Sequence, residues 1–286
     1  MPELPEVEVT ARLLDRELAG ARIESALAPG INALKTFAPP LSALEGERIE
    51  HVRRRGKHLI IETSGGLGLL IHLMNAGRLQ LYDRRAGPRD RTSRLLLRVP
   101  SQEQPERELR LREFGSKQAA WVKLLPLSEL DADEALARLG PEAWPDTPSE
   151  LAELLDAPRP LHALLRDQRV IAGIGRSWAD EILWEARLSP YKRGSDLTAE
   201  EAARLREAIG AVLSRALEHY EGAVALPIPD KLPMPLAVHR HEGEPCPRCG
   251  EKLRPVHFED YVIAYCPACQ TEGRVLKDRR LSRLLR

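Results

Sequence analysis

The 286-residue sequence has no apolar run close to the roughly 18 residues that a membrane-spanning helix requires. Cysteine is absent from its first 245 residues, and the N-terminus is acidic where a secretory signal peptide would be basic and then apolar. We therefore expect a cytoplasmic protein with no membrane association and no disulfide framework. The hydrophobic fraction of 43% is enough for ordinary cores, and the length allows two domains.

The net charge is zero, so the overall composition gives no sign of a nucleic-acid partner. The charges are nevertheless segregated. Basic segments occupy positions 51–58, 82–94 and 273–286, and an acidic, proline-bearing segment occupies 131–160. A single basic segment is equally well explained as a solvated surface, but three of them together favour a polyanionic partner.

The spacing of apolar residues changes along the chain. An amphipathic helix comes first, with Val7, Ala11, Leu14 and Leu18 on one face and Gly20 as a stop signal. Short alternating segments then predict strands, namely RIEHVRR, HLIIET, GLLIHLM, GRLQLYD and SRLLLRV. From about position 149 the period is helical, in SELAELLD, PLHALLRD, SWADEILWEARL and TAEEAARLREAIGAVLSRALEHY.

These changes in pattern predict four parts and no internal repeat. They are a β-rich N-terminal domain over 1–130, a linker carrying a short helix over 131–148, a helical domain over 149–239, and a cysteine-bearing segment with a basic tail over 240–286.

Four cysteines form two CxxC pairs separated by sixteen residues: Cys246, Cys249, Cys266 and Cys269. This spacing is typical of a zinc ribbon, in which two knuckles present four thiolates to one Zn²⁺. Four protein ligands leave no open coordination position, so this metal is expected to hold structure and to take no part in chemistry. Four buried cysteines without metal are the alternative. The hairpin between the pairs and the basic tail are candidates for nucleic-acid contact.

Two predicted helices meet at a glycine-rich corner. Gly173 and Gly175 can turn tightly and expose backbone N–H groups at the start of the next helix, where a phosphate binds readily. Taken alone, the glycines are better explained by an ordinary corner between helices. Arg176 directly after the corner, with Lys192 and Arg193 downstream, favours contact with a DNA backbone.

The N-terminal sequence MPELPEVE allows two interpretations of Pro2. Proline and glutamate suit the first turn of a helix, because no backbone N–H is needed there and the helix dipole favours negative charge. If Met1 is removed, however, Pro2 becomes a free secondary amine and hence a nucleophile.

MPELPEVE, RRRGKH in the β-rich half, the GIG corner and the four-cysteine ribbon occur in the order of one known family. Over nearly its full length the chain resembles the formamidopyrimidine-DNA glycosylase and endonuclease VIII family of base-excision repair enzymes. The resemblance implies an α+β fold: an N-terminal β-sandwich with a flanking helix, then a helix-two-turn-helix domain and a zinc ribbon. It also implies a monomeric, bacterial, nucleoid-associated DNA glycosylase and AP lyase that acts on oxidised or otherwise damaged bases in double-stranded DNA.

The resemblance assigns catalytic roles to four residues. Pro2 attacks C1′ of the damaged nucleotide, expels the base and forms a Schiff base from which the strand is cleaved. An α-amino group has a pKa of about 8, so part of it is neutral at physiological pH. Glu3 is the general acid and base at the sugar, and Glu6 supports the amine. Lys57 matches a basic residue near the damaged site, although simple attraction of phosphate explains it almost as well.

The family flips the damaged nucleotide out of the stack and fills the gap. In the segment REFG, Phe114 would wedge between bases and Arg112 would face the base opposite the lesion. Alternatively, Phe114 is a core aromatic on a strand. Glu113 replaces the second arginine of the family motif. The methionine that fills the void would fall at Asn75, with Met74 one residue early.

Two further departures concern the grip on the DNA backbone. Arg176 stands where the family's corner is followed by asparagine. Tyr261 replaces an arginine that the family usually carries five residues before the third cysteine, and Arg254, Arg274 or the basic tail are candidates to compensate for it. These departures indicate a divergent branch rather than a standard 8-oxoguanine enzyme.

Two alternatives fit parts of the sequence. One is a catalytically weak or inactive protein that binds lesions or DNA structures on the same scaffold. A retained Met1 would favour it, because the Pro2 nitrogen would then be an amide. The other is a zinc-ribbon protein that binds RNA or acts in transcription, which the β-rich first half and PELPE oppose. For the leading function we expect no redox cofactor, no divalent cation in the chemistry, and a base pocket shaped by the loop around 221–238.

Overall fold

The structure is a computed structural model that describes residues 2–87, 90–114, 117–258 and 261–278. Met1, Gly115 of the REFG segment and the basic tail from position 279 lie outside these ranges. The chain forms two compact units. Unit 1 comprises Met1–Arg138 and Leu217–Pro233, and unit 2 comprises Leu139–Ala216 and Met234–Arg286.

Helix α1, Leu4–Leu18, has a first turn that suits a helix N-terminus. Pro5 lies in that turn, where no backbone N–H is required, and the Glu3 N–H donates to Glu6 Oε2 at 2.8 Å as in a capping box. Gly20, with φ of +80°, follows the end of the helix and adopts a conformation that favours glycine. The predicted apolar face is confirmed as buried: Val7, Ala11, Leu14 and Leu18.

Unit 1 contains, within its described residues, eight strands in two antiparallel sheets. They are β1 Ser25–Leu27, β2 Ile49–Arg55, β3 His58–Thr63, β4 Leu67–His72, β5 Gly77–Tyr82, β6 Ser93–Arg98, β7 Glu108–Glu113 and β8 Trp121–Pro126. The strand orders are β1–β6–β7–β5 and β2–β3–β4–β8. The five predicted strands are confirmed as β2 to β6. Leu59, Ile60 and Ile61, successive residues of β3, are all fully buried, so both faces of the second sheet are covered.

The helices follow the sheets. The short helix expected after β8 is present as α3, Glu134–Ala137, preceded by α2, Leu127–Leu130. The four predicted helical segments are confirmed as α4 Leu151–Leu155, α5 Leu161–Arg166, α6 Arg176–Glu185 and α7 Ala199–Ala223. Glu142 forms a parallel bridge with Ala172, so the segment after α3 packs within unit 2. None of the helices in the described ranges is long and apolar enough to span a bilayer.

Unit 2 ends in a two-stranded hairpin, β9 Arg254–Phe258 and β10 Tyr261–Tyr265, followed by helix α8, Pro267–Thr271. Tyr261 pairs with Phe258 at one end of the ladder and Tyr265 pairs with Arg254 at the other. One CxxC pair precedes β9, and the other spans the end of β10 and the start of α8. N-terminal sheets, central helices and a cysteine-bearing hairpin make the fold α+β, as predicted.

Candidate active site and metal centre

The start of α1 places two carboxylates next to Pro2. Pro2 is half-buried, whereas Glu3 is only 3% exposed and Glu6 only 5%. Oε2 of Glu6 accepts the backbone N–H of Glu3 at 2.8 Å, so the Glu6 carboxylate is held against the residue that follows Pro2. Carboxylate side chains are rarely buried in proteins unless they are paired or functional.

Tyr220 holds the other carboxylate oxygen of Glu6. Its hydroxyl donates to Glu6 Oε1 at 2.6 Å, and the whole side chain is buried in unit 1. Burial and the negative charge of Glu6 raise the pKa of Tyr220 above its usual value, so the phenol stays protonated and remains a donor. Sequence analysis missed Tyr220, because a residue 214 positions from its partner leaves no local signal.

Lys57 is a buried residue in the turn between β2 and β3. Gly56, the residue before Lys57, has a φ of +56°, a backbone conformation that residues with a side chain rarely adopt. Arg54 at the end of β2 lies 2.8 Å from Glu8 of α1, an ion pair that fastens this turn to the helix carrying the carboxylates. In unit 1, Glu3 and Glu6 therefore lie at the start of α1, and the Lys57 turn is attached to the same helix.

Two neutral histidines lie next to the Lys57 turn. His58 and His72 are cross-strand partners, with ring centroids 4.6 Å apart, and the ring of Trp121 stacks on His72. Burial lowers the pKa of His58 to about 3, with a further contribution from His72, and burial with nearby Lys57 lowers the pKa of His72 to about 4. Nδ1 of His72 accepts the backbone N–H of Met74 at 3.1 Å, which fixes the neutral ring against the next turn.

The residues predicted to wedge into the stack and to fill the gap lie at one end of the first sheet. Met74, half-buried with φ of +49°, and exposed Asn75 lie in the turn just before β5. Phe114 follows β7 directly and is 43% exposed, which favours a wedge over a core position. Because β5 and β7 are antiparallel neighbours, with Arg78 opposite Arg112, the start of β5 and the end of β7 lie together.

Arg112 connects these residues to the sheet. Its guanidinium lies 4.5 Å from the centroid of the Phe114 ring, donates to the Tyr82 hydroxyl at 2.6 Å and donates to Thr92 Oγ1 at 3.0 Å. The contact with Phe114 orients the aromatic ring without covering it.

Glu113, which replaces the second arginine of the family motif, is directed into unit 1. It is almost fully buried, and its Oε2 accepts the backbone N–H of Ala120 at 2.8 Å and lies 3.8 Å from Nε of Arg94. The buried Arg94 guanidinium in turn donates to the carbonyl oxygen of Ala120. Glu113 therefore supports the backbone at Ala120, just before β8, from inside.

The loop expected to shape the base pocket is attached to β5. Arg78 donates to the carbonyl oxygen of Asp230 at 2.6 Å. The amide of Gln80 donates to the Ile228 carbonyl oxygen and to Asp230 Oδ1, both at 2.9 Å. These polar contacts fix residues 228–230 against the strand that begins beside Met74.

The glycine corner of unit 2 is shaped by Gln168. Its Oε1 accepts the backbone N–H of Gly173 at 2.9 Å, and its amide donates to the Ile174 carbonyl oxygen at 2.8 Å. Gly173 has φ of +103°, a value that strongly favours glycine, and Gly175 is the N-cap of α6. Arg176, the first residue of α6, is exposed.

Arg254 lies away from Tyr261, the position that Arg254 or Arg274 was expected to compensate. Arg254 is the first residue of β9, opposite Tyr265, so four residues or about 13 Å of strand separate its level from that of Tyr261. Arg274 follows α8 and donates to the Thr271 carbonyl oxygen. Both side chains are exposed.

The four predicted cysteine ligands lie together in unit 2. Their Sγ atoms are all within 4.8 Å of one another, with 4.0 Å between Cys246 and Cys269 and 3.4 Å from Cys249 to both Cys266 and Cys269. A tetrahedral zinc with Zn–S bonds of 2.3 Å separates its sulfurs by about 3.8 Å, so the cluster fits one such ion. The predicted clustering of the four cysteines is confirmed.

Trp184 of α6 connects the cluster to the helices. Its indole N–H donates to Cys246 Sγ at 3.4 Å, and Arg248, inside the first CxxC pair, lies 4.0 Å above its ring. Although burial opposes it, the backbone N–H groups of Arg248 and Cys249 and the Trp184 indole lower the pKa of Cys246 to about 7. A thiolate is the form that binds metal.

Comparison with known proteins agrees with this geometry. The formamidopyrimidine-DNA glycosylase N-terminal domain matches residues 1–116, and the formamidopyrimidine-DNA glycosylase H2TH domain matches residues 139–227. A formamidopyrimidine-DNA glycosylase of Thermus thermophilus is 37% identical over 289 residues, which cover 96% of this chain and 100% of the relative. The chain belongs to the formamidopyrimidine-DNA glycosylase family.

Solved structures of this family have the same fold. The Lactococcus lactis Fpg in complex with DNA containing an abasic site superposes with a TM-score of 0.82 at 25% identity, covering 94% of this chain and 99% of that one. The same protein with DNA containing N7-benzyl-Fapy-dG gives 0.82 at 26% identity, covering 94% and 100%. An uncharacterized formamidopyrimidine-DNA glycosylase-like protein of Mycobacterium tuberculosis is 41% identical over 149 residues, 52% of this chain and 94% of the relative.

Membership in the formamidopyrimidine-DNA glycosylase family confirms the leading function. The chain is a base-excision repair DNA glycosylase of the glycosylase and AP lyase class. The predicted fold class is confirmed by the same comparisons.

Proposed function

We propose that the enzyme attacks the sugar of a damaged nucleotide with the nitrogen of Pro2 and then cleaves the strand as an AP lyase. The observation that carries this proposal is the start of α1, where half-buried Pro2 is followed by the almost completely buried carboxylates of Glu3 and Glu6. Tyr220 and the Glu3 backbone hold Glu6 on both of its oxygens. Such buried, oriented carboxylates beside an amine suit general acid and base chemistry.

The reaction begins once Met1 has been removed. The lone pair of the Pro2 nitrogen forms a bond to C1′ while the bond from C1′ to the base breaks, and the base leaves with that electron pair and takes up a proton. The amine loses its proton, the C1′–O4′ bond opens, and Glu3 protonates O4′, which leaves an iminium between the nitrogen and C1′. Removal of a proton from C2′ then expels the 3′ phosphate.

The remaining residues of unit 1 bind and orient the nucleotide in this proposal. Glu6 positions the amine, and Lys57 contacts the nucleotide from the β2–β3 turn. Phe114 wedges into the stack, Arg112 faces the opposite base, and Met74 with Asn75 fills the gap. The exposure of Phe114 and the shared position of these side chains at one sheet end support the assignment.

In unit 2, we propose that the corner of Gly173, Gly175 and Arg176 binds DNA phosphate, with exposed Arg254 and Arg274 giving further contacts.

The substrate is double-stranded DNA and the enzyme a monomer located at the bacterial nucleoid. We also propose that the chain has four parts, with boundaries at 130, 148 and 239. The Lactococcus lactis protein binds an abasic site and N7-benzyl-Fapy-dG, and we propose lesions of this kind for the present enzyme.

We propose Zn²⁺ as the metal of the cysteine cluster, one per chain and structural. Four thiolates with these separations suit a closed tetrahedral site, in which the ion would hold the hairpin and supply no reactive water. Metal analysis of the purified protein should give one zinc per chain, and replacing Cys269 with serine should reduce that value. A different metal, or full occupancy after the replacement, would refute the assignment.

Borohydride trapping tests the catalytic proposal. Protein whose N-terminus has been verified by mass spectrometry is incubated with a duplex that contains an abasic site and is then reduced. A covalent adduct should form and map to Pro2. It should form more slowly in Glu3→Gln and in Pro2→Gly, which replaces the secondary amine with a primary one. Absence of an adduct from correctly processed protein that still binds the duplex would leave the lesion-binding scaffold as the better description.

A further inference from the structure

Three polar side chains of neighbouring strands form a hydrogen-bonded chain on one face of the first sheet. Gln80 and Tyr82 are alternate residues of β5, and Arg112 lies on the adjacent strand β7, so the three side chains share a face. The Tyr82 hydroxyl accepts an N–H of Arg112 Nη1 at 2.6 Å and donates to Gln80 Oε1 at 2.5 Å. Because a guanidinium has only donors and a hydroxyl has one proton, the direction of both hydrogen bonds is fixed.

Gln80 extends this chain to the loop of residues 228–230. Its Oε1 is the acceptor for Tyr82, and its amide nitrogen donates to the Ile228 carbonyl oxygen and to Asp230 Oδ1, both at 2.9 Å. Gln80 is only 5% exposed, so water does not readily replace a partner that it loses. We call Arg112, Tyr82 and Gln80, with their contacts to this loop, the Tyr82 chain.

Arg112 is the end of the Tyr82 chain that can bind a ligand. Its Nε donates to Thr92 Oγ1 at 3.0 Å and its Nη1 donates to Tyr82, so the plane of the guanidinium is fixed at two points. Nη2 of Arg112 donates to no atom of the residues that the structure describes. An oriented N–H donor of this kind suits the acceptor atoms on the edge of a nucleic-acid base.

The two ends of the Tyr82 chain have different roles in the proposed function. Arg112 faces the base opposite the lesion, and the loop of residues 228–230 forms part of the pocket for the damaged base. We infer that Tyr82 couples selection of the opposite base to binding of the damaged base. The inference rests on the proposed function, from which it takes both roles. Tyr82 is a positioning residue in this coupling, and no motif of the sequence indicated it.

The coupling follows from the order of the hydrogen bonds. An opposite base that accepts a proton from Arg112 Nη2 fixes the guanidinium, keeps the Tyr82 hydroxyl directed at Gln80 and so favours the attached loop. Hydrogen bonds in such a chain polarise and strengthen one another. By linkage, a damaged base that orders the loop must raise the affinity of Arg112 for the preferred opposite base by the same factor.

Binding to DNA that the enzyme cannot cleave measures this coupling. One series of duplexes carries carbocyclic Fapy-dG, in which a methylene group replaces O4′ so that the base is bound but not excised. A second series carries a tetrahydrofuran abasic-site analogue, which has no base. The dissociation constant is measured with dA, dC, dG and dT opposite the damaged position in each series.

The coupling factor compares the two series. It is the ratio of the weakest to the tightest Kd in the Fapy-dG series, divided by the ratio for the same two opposite bases in the abasic series. Because an abasic site places no base against the loop, the factor for the unaltered protein should be about fivefold or more.

Two variants interrupt the Tyr82 chain at different points. Tyr82→Phe removes the hydroxyl and keeps the ring, on which the guanidinium carbon of Arg110 lies 4.3 Å from the centroid. Gln80→Leu removes the link to the loop and does not change a contact of Arg112. Each variant should reduce the coupling factor to about one. Tyr265→Phe, which loses a hydroxyl in unit 2, should retain the full factor.

Thermal unfolding verifies that each variant is folded. A coupling factor of one in the unaltered protein would overturn the inference. An unchanged factor in folded Tyr82→Phe and folded Gln80→Leu would overturn it as well, because a residue with a merely structural role does not change how the two bases depend on each other.

Arg112→Gln distinguishes failure of this inference from failure of the proposed function. It should remove discrimination among opposite bases in both series. If it does so while the Tyr82 and Gln80 variants keep the full coupling factor, Arg112 has its proposed role and the inference alone is wrong. If Arg112→Gln retains the discrimination, the proposed role of Arg112 is wrong and the inference is overturned with it. None of these measurements requires cleavage, so the catalytic role of Pro2 is tested separately.

Discussion

The hydroxyl of Tyr220 donates to Oε1 of Glu6 across 2.6 Å, and this contact joins two residues that are 214 positions apart. It ties the last turns of α7 to the first turn of α1 inside unit 1. Because Glu3 occupies the other oxygen of Glu6, the orientation of that carboxylate is fully determined by the fold.

Tyr220→Phe should slow the enzyme without unfolding it. The change removes one hydrogen bond to a carboxylate, worth about 1.5–3 kcal/mol, and leaves the aromatic packing intact. We expect borohydride trapping to fall about tenfold, with a smaller effect on the dissociation constant for abasic-site DNA. Tyr265→Phe, which removes a hydroxyl that accepts the Leu276 N–H in unit 2, is the matched control and should leave the trapping rate unaltered. Equal trapping rates for Tyr220→Phe and the unaltered enzyme would show that Glu6 needs no such orientation.

Gln80→Leu should separate base recognition from strand cleavage. Its amide makes two of the contacts that fasten residues 228–230 to β5, and this loop is the expected wall of the base pocket. Excision of a damaged base should fall about tenfold, whereas cleavage at a preformed abasic site, which has no base to recognise, should change by less than about twofold. A parallel loss of both activities would indicate a general structural role for Gln80.

Glu113 is a structural residue, and restoring the family's arginine there should be destabilising. Glu113→Arg would place an unpaired cation beside buried Arg94 and leave the Ala120 N–H without its acceptor. The free energy of unfolding should fall by about 3 kcal/mol or more, as urea denaturation would show. Glu113→Gln retains an acceptor and should cost about 1 kcal/mol. A stable Glu113→Arg variant would contradict the buried orientation of this side chain.

The sequence predicted what depends on local periodicity and spacing. The buried face of α1, the strands β2 to β6 and the cysteine cluster follow from apolar period, turn residues and CxxC separation. Strand β1 has three residues, too few for a period to show.

Contacts that depend on tertiary packing were beyond those signals. Tyr220 lies within a long amphipathic helix, where the sequence pattern does not distinguish it from an ordinary core aromatic residue. The replacement at Tyr261 suggested a lost charge, because nothing in the sequence indicates that Arg166 and Arg176 meet its ring. The motif likewise suggested that Glu113 is an altered DNA contact, although its carboxylate is directed into the protein.

The neutral pair of His58 and His72 should make unit 1 sensitive to acid. An unfolded histidine has a pKa of about 6.5, whereas burial lowers the folded values to about 3 and about 4. Below pH 6.5 the unfolded chain therefore binds more protons than the folded chain, and the free energy of unfolding decreases as the pH falls from 7 to 4.

His58→Phe should remove part of this dependence. Phenylalanine keeps the stacking against His72 and Trp121 and does not titrate, and His58 Nδ1 has no hydrogen-bond partner among the described atoms. Urea denaturation at pH 7 and pH 4 should show a loss of stability that is smaller by about 2 kcal/mol than in the unaltered protein. His51→Gln, at an exposed histidine of the same unit, should retain the full dependence. If His58→Phe and the unaltered protein lose the same stability on acidification, His58 is protonated in the folded state and the neutral pair beside Lys57 does not exist.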